Sequence, residues 1–225
     1  EDLDYFIAQQ HVAKKSNYLE DDHLWLSFKT VLTHHSTAIE GNCLSFEQTK
    51  LILEDYFDDL VSPHLMKIEM TIDGDLRFWK ILGQNVPEKD VKEVLDHGKV
   101  MEYIRNNILK KRKSIDEEEI VSINNIVCPT ASLMKWVTKD VPEDTKYRKV
   151  AVKVRGSPTV RPYPHELPAI MKELFRVHNE KSRVLHPVIS ACQFHMNFLQ
   201  VHPFVDGNGR TARLLTNILL WNSGY

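Results

Sequence analysis

"PVISACQFHMNFLQVHPFVDGNGRTARLLTNILLW", residues 187–221, decides the fold. Two runs with helical periodicity flank a loop that joins a histidine, an acid and two arginines across two glycines. A residue before proline is pushed out of the α region, so the first helix should stop with the His202 ring at its exit, ahead of Pro203. Gly207 and Gly209 permit backbone angles denied to other residues and let a ligand approach the main chain. The second helix should begin at about Arg210, with its unpaired first-turn N–H groups pointing back into the loop. Such a nest is an anion site, and phosphate is the commonest anion to fit it. Arg210 and Arg213 lie three apart on one helix face, where both guanidinium groups can reach the same anion. Asp206 is a lone carboxylate beside that anion, the usual way of holding magnesium, which keeps its waters and shares substrate oxygens. His202 supplies a base that works near neutral pH. A histidine at a helix end and a GxG pair are each weak signals alone. Here they stand in one ordered string, which describes a magnesium–polyphosphate site with a general base beside it.

Outward from the loop, helical periodicity dominates. Leu24, Phe28, Val31, Leu32, His35 and Ile39 share a face, and Gly41 is placed as a helix stop. Ser45 and Gln48 read as a capping box, and Ser114 and Glu117 repeat the device, with Asp116 to Glu118 massed in the first turn. "MEYIRNNILKKRK", residues 101–113, reads as a helix with a basic end. Residues 62–90 read as a long irregular connection with a short helix at 75–82, and "NVPEKDVKEV" at 85–94 as a solvated face. Between 147 and 164 the texture changes. Val150, Val152 and Val154 alternate with Ala151, Lys153 and Arg155 before "GSPT", the pattern of one β-hairpin. The expected fold is therefore mainly α, one helical domain with one β-hairpin.

"HPFVDGNGRTAR", residues 202–213, resembles the Fic family signature HxFx(D/E)GNGRxxR at all eight specified positions. The resemblance implies a Fic-type helical bundle, with the hairpin as its flap, and AMPylation: transfer of AMP from ATP, with Mg²⁺, to a Ser, Thr or Tyr hydroxyl of a target protein. It implies that His202 deprotonates the hydroxyl, Phe204 anchors the loop and Asp206 holds magnesium. Gly207, Asn208 and Gly209 would bind the α- and β-phosphates, Arg210 the β-phosphate and Arg213 the γ-phosphate. Family members that phosphorylate their targets carry a lysine where this chain has Gly209. The flap would align a target backbone by strand addition through Arg148, Val152 and Val154; core packing of the valines is the competing reading.

"HSTAIEGN", residues 35–42, places Glu40 in the last turn of a helix, where the macrodipole disfavours a carboxylate. Ser36-x-x-x-Glu40-Gly41 resembles the family's inhibitory helix (S/T)xxxE(G/N), which implies a Glu40–Arg213 pair that keeps ATP from its reactive pose. "TAIEGN" is similar to the metazoan endoplasmic-reticulum branch, in which the same glutamate can align a water that removes AMP from a modified target. The implied organisation is a helical lead-in over 1–23 and a Fic domain over 24–225. That domain would hold the inhibitory helix at 24–41 and an insertion at 58–91, and would continue past Tyr225 with residues that enclose the adenine. Alternatives left open are a nucleotide-binding regulatory module without turnover and a Fic enzyme with another nucleotide donor. Homodimerisation is expected by analogy alone.

Bulk properties fit an enzyme of this kind and exclude others. Lys+Arg is 29 and Asp+Glu is 31, so the chain lacks the electrostatic footprint of a nucleic-acid binder. At 42% hydrophobic residues it can form a core. Cys43, Cys128 and Cys192 show no CxxC spacing and read as free thiols in small apolar sites. His195 and His202 are seven apart, but no acid or cysteine joins them, so His195 reads as core-facing rather than a zinc ligand. His34 and His35 read as a packed pair. No apolar run reaches the length of a membrane span. Both ends read as internal edges, which leaves localisation open between the cytoplasm and, given an upstream anchor, the endoplasmic reticulum.

Overall fold

The structure, a computed structural model, describes residues 19–58, 86–129, 146–153 and 159–225. The elements in order are α1 (Asp22–Ile39), α2 (Phe46–Asp58), α3 (Glu88–Tyr103), a π-helical turn (Ile104–Leu109), α4 (Glu117–Val127), a 3₁₀ turn (Pro164–Glu166), α5 (Leu167–Lys181), α6 (Pro187–Val201) and α7 (Asn208–Asn222). The architecture is thus mainly α, and among the described residues there is no strand. The chain divides into two compact units, with the boundary between Glu102 and Tyr103.

In the unit that precedes Tyr103, α2 and α3 share an apolar cluster of Leu44, Ile52, Leu53, Val91 and Val94. "NVPEKDVKEV" is therefore not a solvated face but the start of a core helix. Asp90 is buried, its Oδ2 accepting from the Cys43 N–H at 2.8 Å and its carbonyl from Asn42 Nδ2 at 2.9 Å. The expected short helix at 75–82 and most of the proposed insertion lie outside the described residues.

Helix α1 starts two residues earlier than expected, at Asp22, because Asp21 accepts from the N–H groups of His23 and Leu24 at 2.9 and 3.0 Å. It ends as foreseen: Gly41 N–H bonds Ala38 O, and Asn42 N–H bonds Thr37 O, a Schellman closure with Gly41 at φ 94°. Its orientation reverses the apolar-face expectation. The buried residues are Trp25, Lys29, Thr30, Thr33, Ser36 and Thr37, whereas Ile39 is 67% exposed and Leu24 and Val31 are exposed too. The reason is hydrogen bonding to α3. Trp25 Nε1 and Lys29 Nζ both donate to Glu102 Oε1, at 2.8 and 3.0 Å, and Thr33 Oγ1 meets His97 Nδ1 at 2.9 Å. Satisfied polar groups can be buried, and hydrophobic periodicity does not register them. His34 and His35 do pack edge to face, with ring centroids 5.1 Å apart.

The capping box at Ser45 and Gln48 forms in both directions, at 2.9 and 3.1 Å. The one at Ser114 does not. Asp116 is the N-cap of α4, accepting from Glu119 N–H at 2.9 Å. Ahead of it the basic helix end closes through the π turn, and Lys113 pairs with Glu119.

In the unit from Tyr103 onward, α7 packs on α6, α4 and the π turn. Ala212, Leu214, Leu215 and Ile218 are buried there with Ile120, Ile123, Phe194 and Phe198. Each large side chain so enclosed contributes about 1.5–3 kcal/mol relative to exposure. Cys128 is buried as expected, but Cys43 and Cys192 are exposed; all three are free thiols. No described helix is long and apolar enough to cross a membrane.

Candidate active site

The loop between α6 and α7 is built by its ends. Val201 is the last residue of α6, and His202 caps it in the left-handed conformation (φ 53°, ψ 60°), its N–H bonded to Phe198 O at 2.9 Å. Leaving the right-handed region was expected ahead of Pro203; the left-handed choice keeps that last hydrogen bond. Phe204 is buried against Tyr147 and Phe198, with ring centroids at 6.0 and 6.3 Å. Helix α7 then begins at Asn208, two residues before the expected start, with Gly207 as N-cap at φ 75°. The Thr211 N–H closes the first turn on Gly207 O at 2.9 Å. The N–H groups of Asn208, Gly209 and Arg210 form that first turn, the donors a helix leaves for an anion.

Gly207 takes the unusual backbone angle expected of it, at φ 75°, and Gly209 does not. A Cβ on Gly207 would lie 2.9 Å from Asn124 Nδ2 and 3.1 Å from Cys128 Cβ, so the missing side chain makes room for α4. Gly209 is helical, and its value there is small size rather than unusual backbone angles. The Asn208 side chain is occupied within the loop. Its Oδ1 accepts from Phe204 N–H at 3.0 Å and its Nδ2 donates to Phe204 O at 2.8 Å, so the side chain clasps the loop and the backbone N–H is what it offers to an anion.

Arg210 is 7% exposed, and its Nη2 lies 3.7 Å from Asp206 Oδ1. That oxygen also accepts from Gly207 N–H at 2.6 Å, and the Asp206 side chain is 67% exposed. Among the described residues no three or more His, Cys, Asp or Glu cluster as a metal cage. A single exposed carboxylate at an anion nest fits an ion that arrives with phosphate oxygens rather than a resident metal. Arg213 follows one turn along α7 and is half-buried.

His202 is half-buried, and burial pushes its imidazole below the ordinary value. The Arg161 guanidinium pushes the same way, as does Arg148 more weakly, while a hydrogen bond to the Leu199 backbone and the Asp206 charge oppose them. The ring is therefore neutral near pH 7. A neutral imidazole keeps one nitrogen lone pair with which to accept a proton.

Three side chains outside the loop hold it or the helix end that leads into it, and two of them escaped the sequence reading. Asn124 Nδ2 donates to Asp206 O at 3.0 Å and to Thr211 Oγ1 at 3.1 Å. It stands at helical spacing among Ile120, Ile123 and Val127, all buried, and a lone amide on an apolar face is a signal that was available. Arg161 Nη1 donates to Gln200 O at 3.1 Å, and nothing in its sequence context marks it. The third is Arg148, expected to meet a target at the flap. It is instead 3% exposed and bonded to carbonyls of His202, Val150 and Pro162, because the chain at 147–150 packs beneath the loop. The described residues on either side of the expected hairpin carry no strand, and Val154 and the turn lie outside the described residues. Val152 is half-buried. Glu40 and Ser36 belong to the other unit: Glu40 is the exposed C-cap of α1 and Ser36 is buried. His195 Nδ1 meets Thr216 Oγ1 at 2.9 Å.

Residues 114–220 match the model of the Fic/DOC family. The chain is 33% identical over 193 residues to the protein adenylyltransferase Fic of Drosophila melanogaster, covering 85% of this chain and 32% of that protein. The Culex quinquefasciatus protein of the same name is 31% identical over the same share of this chain. The chain thus spans about a third (32%) of the length of these relatives. A Fic domain containing signaling protein from Bacteroides thetaiotaomicron superposes with a TM-score of 0.66 at 26% identity, over 97% of this chain and 73% of that one. Fic-1 from C. elegans shares the fold, with a TM-score of 0.65 at 24% identity over 98% of this chain and 55% of that one.

Proposed function

We propose, from the match of residues 114–220 to the Fic/DOC family model, that the chain transfers AMP from ATP to a Ser, Thr or Tyr hydroxyl of a target protein. One observation carries this reading most: a half-buried His202, whose imidazole burial pushes below its ordinary value, stands at one end of a loop whose other end is the open first turn of α7. His202 takes the hydroxyl proton, and the hydroxyl oxygen attacks the α-phosphorus in line. The bond from that phosphorus to the bridging oxygen breaks, and pyrophosphate leaves with the electron pair. The protein's part is positioning and charge stabilisation. The N–H groups of Asn208 to Arg210 cradle the phosphates, and Arg210 and Arg213 meet their outer oxygens. Asp206 would hold magnesium, which when bound neutralises phosphate charge. A flap over residues 148–156, with Val152 and Val154, would align the target.

Regulation belongs to the same proposal. Glu40 competes with the γ-phosphate for Arg213, and a carboxylate forked onto a guanidinium is a strong competitor. In the reverse direction Glu40 would align water for removal of AMP. Supporting this is the (S/T)xxxE(G/N) string at the Schellman-closed end of α1.

The test is incubation of wild type, Glu40→Gly and Glu40→Gly/His202→Ala with α-labelled ATP and Mg²⁺. Label on protein is expected with Glu40→Gly and lost in the double variant. ATP binding without label in any variant would instead make this a nucleotide-sensing module, and faster labelling from another nucleotide would change the donor.

A further inference from the structure

Arg148 lies outside the glycine-loop motif yet is buried beneath it. Three of its nitrogens each donate to a backbone carbonyl: Nε to His202 at 2.8 Å, Nη1 to Val150 at 2.8 Å and Nη2 to Pro162 at 2.7 Å. Its own N–H donates to Pro203 O at 2.9 Å. Burying a cation is costly, and a carboxylate partner would be the simplest compensation. Carbonyls neutralise less charge but fix backbone, and the fork of a guanidinium spans stretches that one ammonium cannot. What it fixes is strained. His202 is one of two described non-glycine residues with positive φ, a conformation that costs on the order of 1–3 kcal/mol. The opposite end of the loop has separate supports, the Asn208 clasp on Phe204 and Asn124 on Asp206 and Thr211.

We propose that Arg148 is a positioning residue that locks the left-handed backbone of His202, and so the reach of its imidazole, without a share in holding the nucleotide's phosphates. The role in turnover rests on the adenylyl-transfer reading above; the role in backbone geometry does not. Arg148→Lys keeps a charge but loses the three-way fork, and Arg148→Gln loses both. In the Glu40→Gly background, kcat is expected to fall on the order of 100-fold in each. KM and Kd for ATP should stay within about twofold. By NMR, the Cα and Cβ shifts of His202 should leave the left-handed range while those of Asn208 and Thr211 hold. Unchanged His202 shifts, or ATP affinity that falls in step with kcat, would overturn the proposal. Loss of folding in both variants would overturn it in favour of a general structural role. If the parent with Arg148 intact transfers no AMP, the adenylyl-transfer reading fails on its own, and the His202 shifts still decide the role of Arg148.

Discussion

Gly207 meets two demands at once, a φ of 75° and a Cβ position 2.9 Å from Asn124 Nδ2 and 3.1 Å from Cys128 Cβ. Gly41 meets only the first, with φ 94° and nothing within 4 Å. Alanine at Gly207 should therefore destabilise by roughly 2–3 kcal/mol and alanine at Gly41 by about 1 kcal/mol. Urea denaturation checks this through a lower midpoint at unchanged slope. Equal losses at the two positions would show that the contact with α4 carries no weight. The sequence announces that small residues matter in this loop, but not what fills the space. That depends on α4, some eighty residues away, and local patterns do not report a distant neighbour. For the same reason Arg148 was misassigned, because burial beneath a loop leaves no mark on a stretch that alternates like a strand.

Helix ends were legible where the pattern contains both partners of the cap. Ser45 with Gln48 and the stop at Gly41 form as read. Ser114 with Glu117 shows the same spacing and fails, since Asp116 two residues later offers its carboxylate to the Glu119 N–H at 2.9 Å. A cap search from sequence has no way to rank two acceptors that close together. Asp116→Ala should cost α4 about 1 kcal/mol and Ser114→Ala close to nothing, measured as thermal midpoints of the two variants. The reverse order would restore Ser114 as the cap. Helix α4 also presents Asn124 to the loop, so its start and its buried amide belong to the same support.

At the scale of the molecule, composition and periodicity identified a mainly helical fold and the motif pointed to one loop, but the buried face of α1 came out reversed. Trp25, Lys29 and Thr33 bond Glu102 and His97 of α3, a pairing that no scan of one helix contains. Several histidines share a common electrostatic state. Burial lowers His202, His178 and, to a lesser extent of enclosure, His34, which His35 lowers further. The folded chain then binds fewer protons than the unfolded chain just below the ordinary histidine value. The associated stability is fully present above about pH 6.5 and is lost as pH falls through the lowered folded values. The thermal midpoint should be level between about pH 7 and 8 and decline on acidification below about 6.5; a rise on acidification would contradict the assigned directions. The most direct test of the central claim is to supply Glu40→Gly with Mg²⁺ and ATP labelled either at the α- or at the γ-phosphate, and to measure label retained on protein. Retention of the α-label alone, abolished by His202→Ala, is the expected result. Retention of the γ-label, or α-labelling that survives loss of His202, would contradict it.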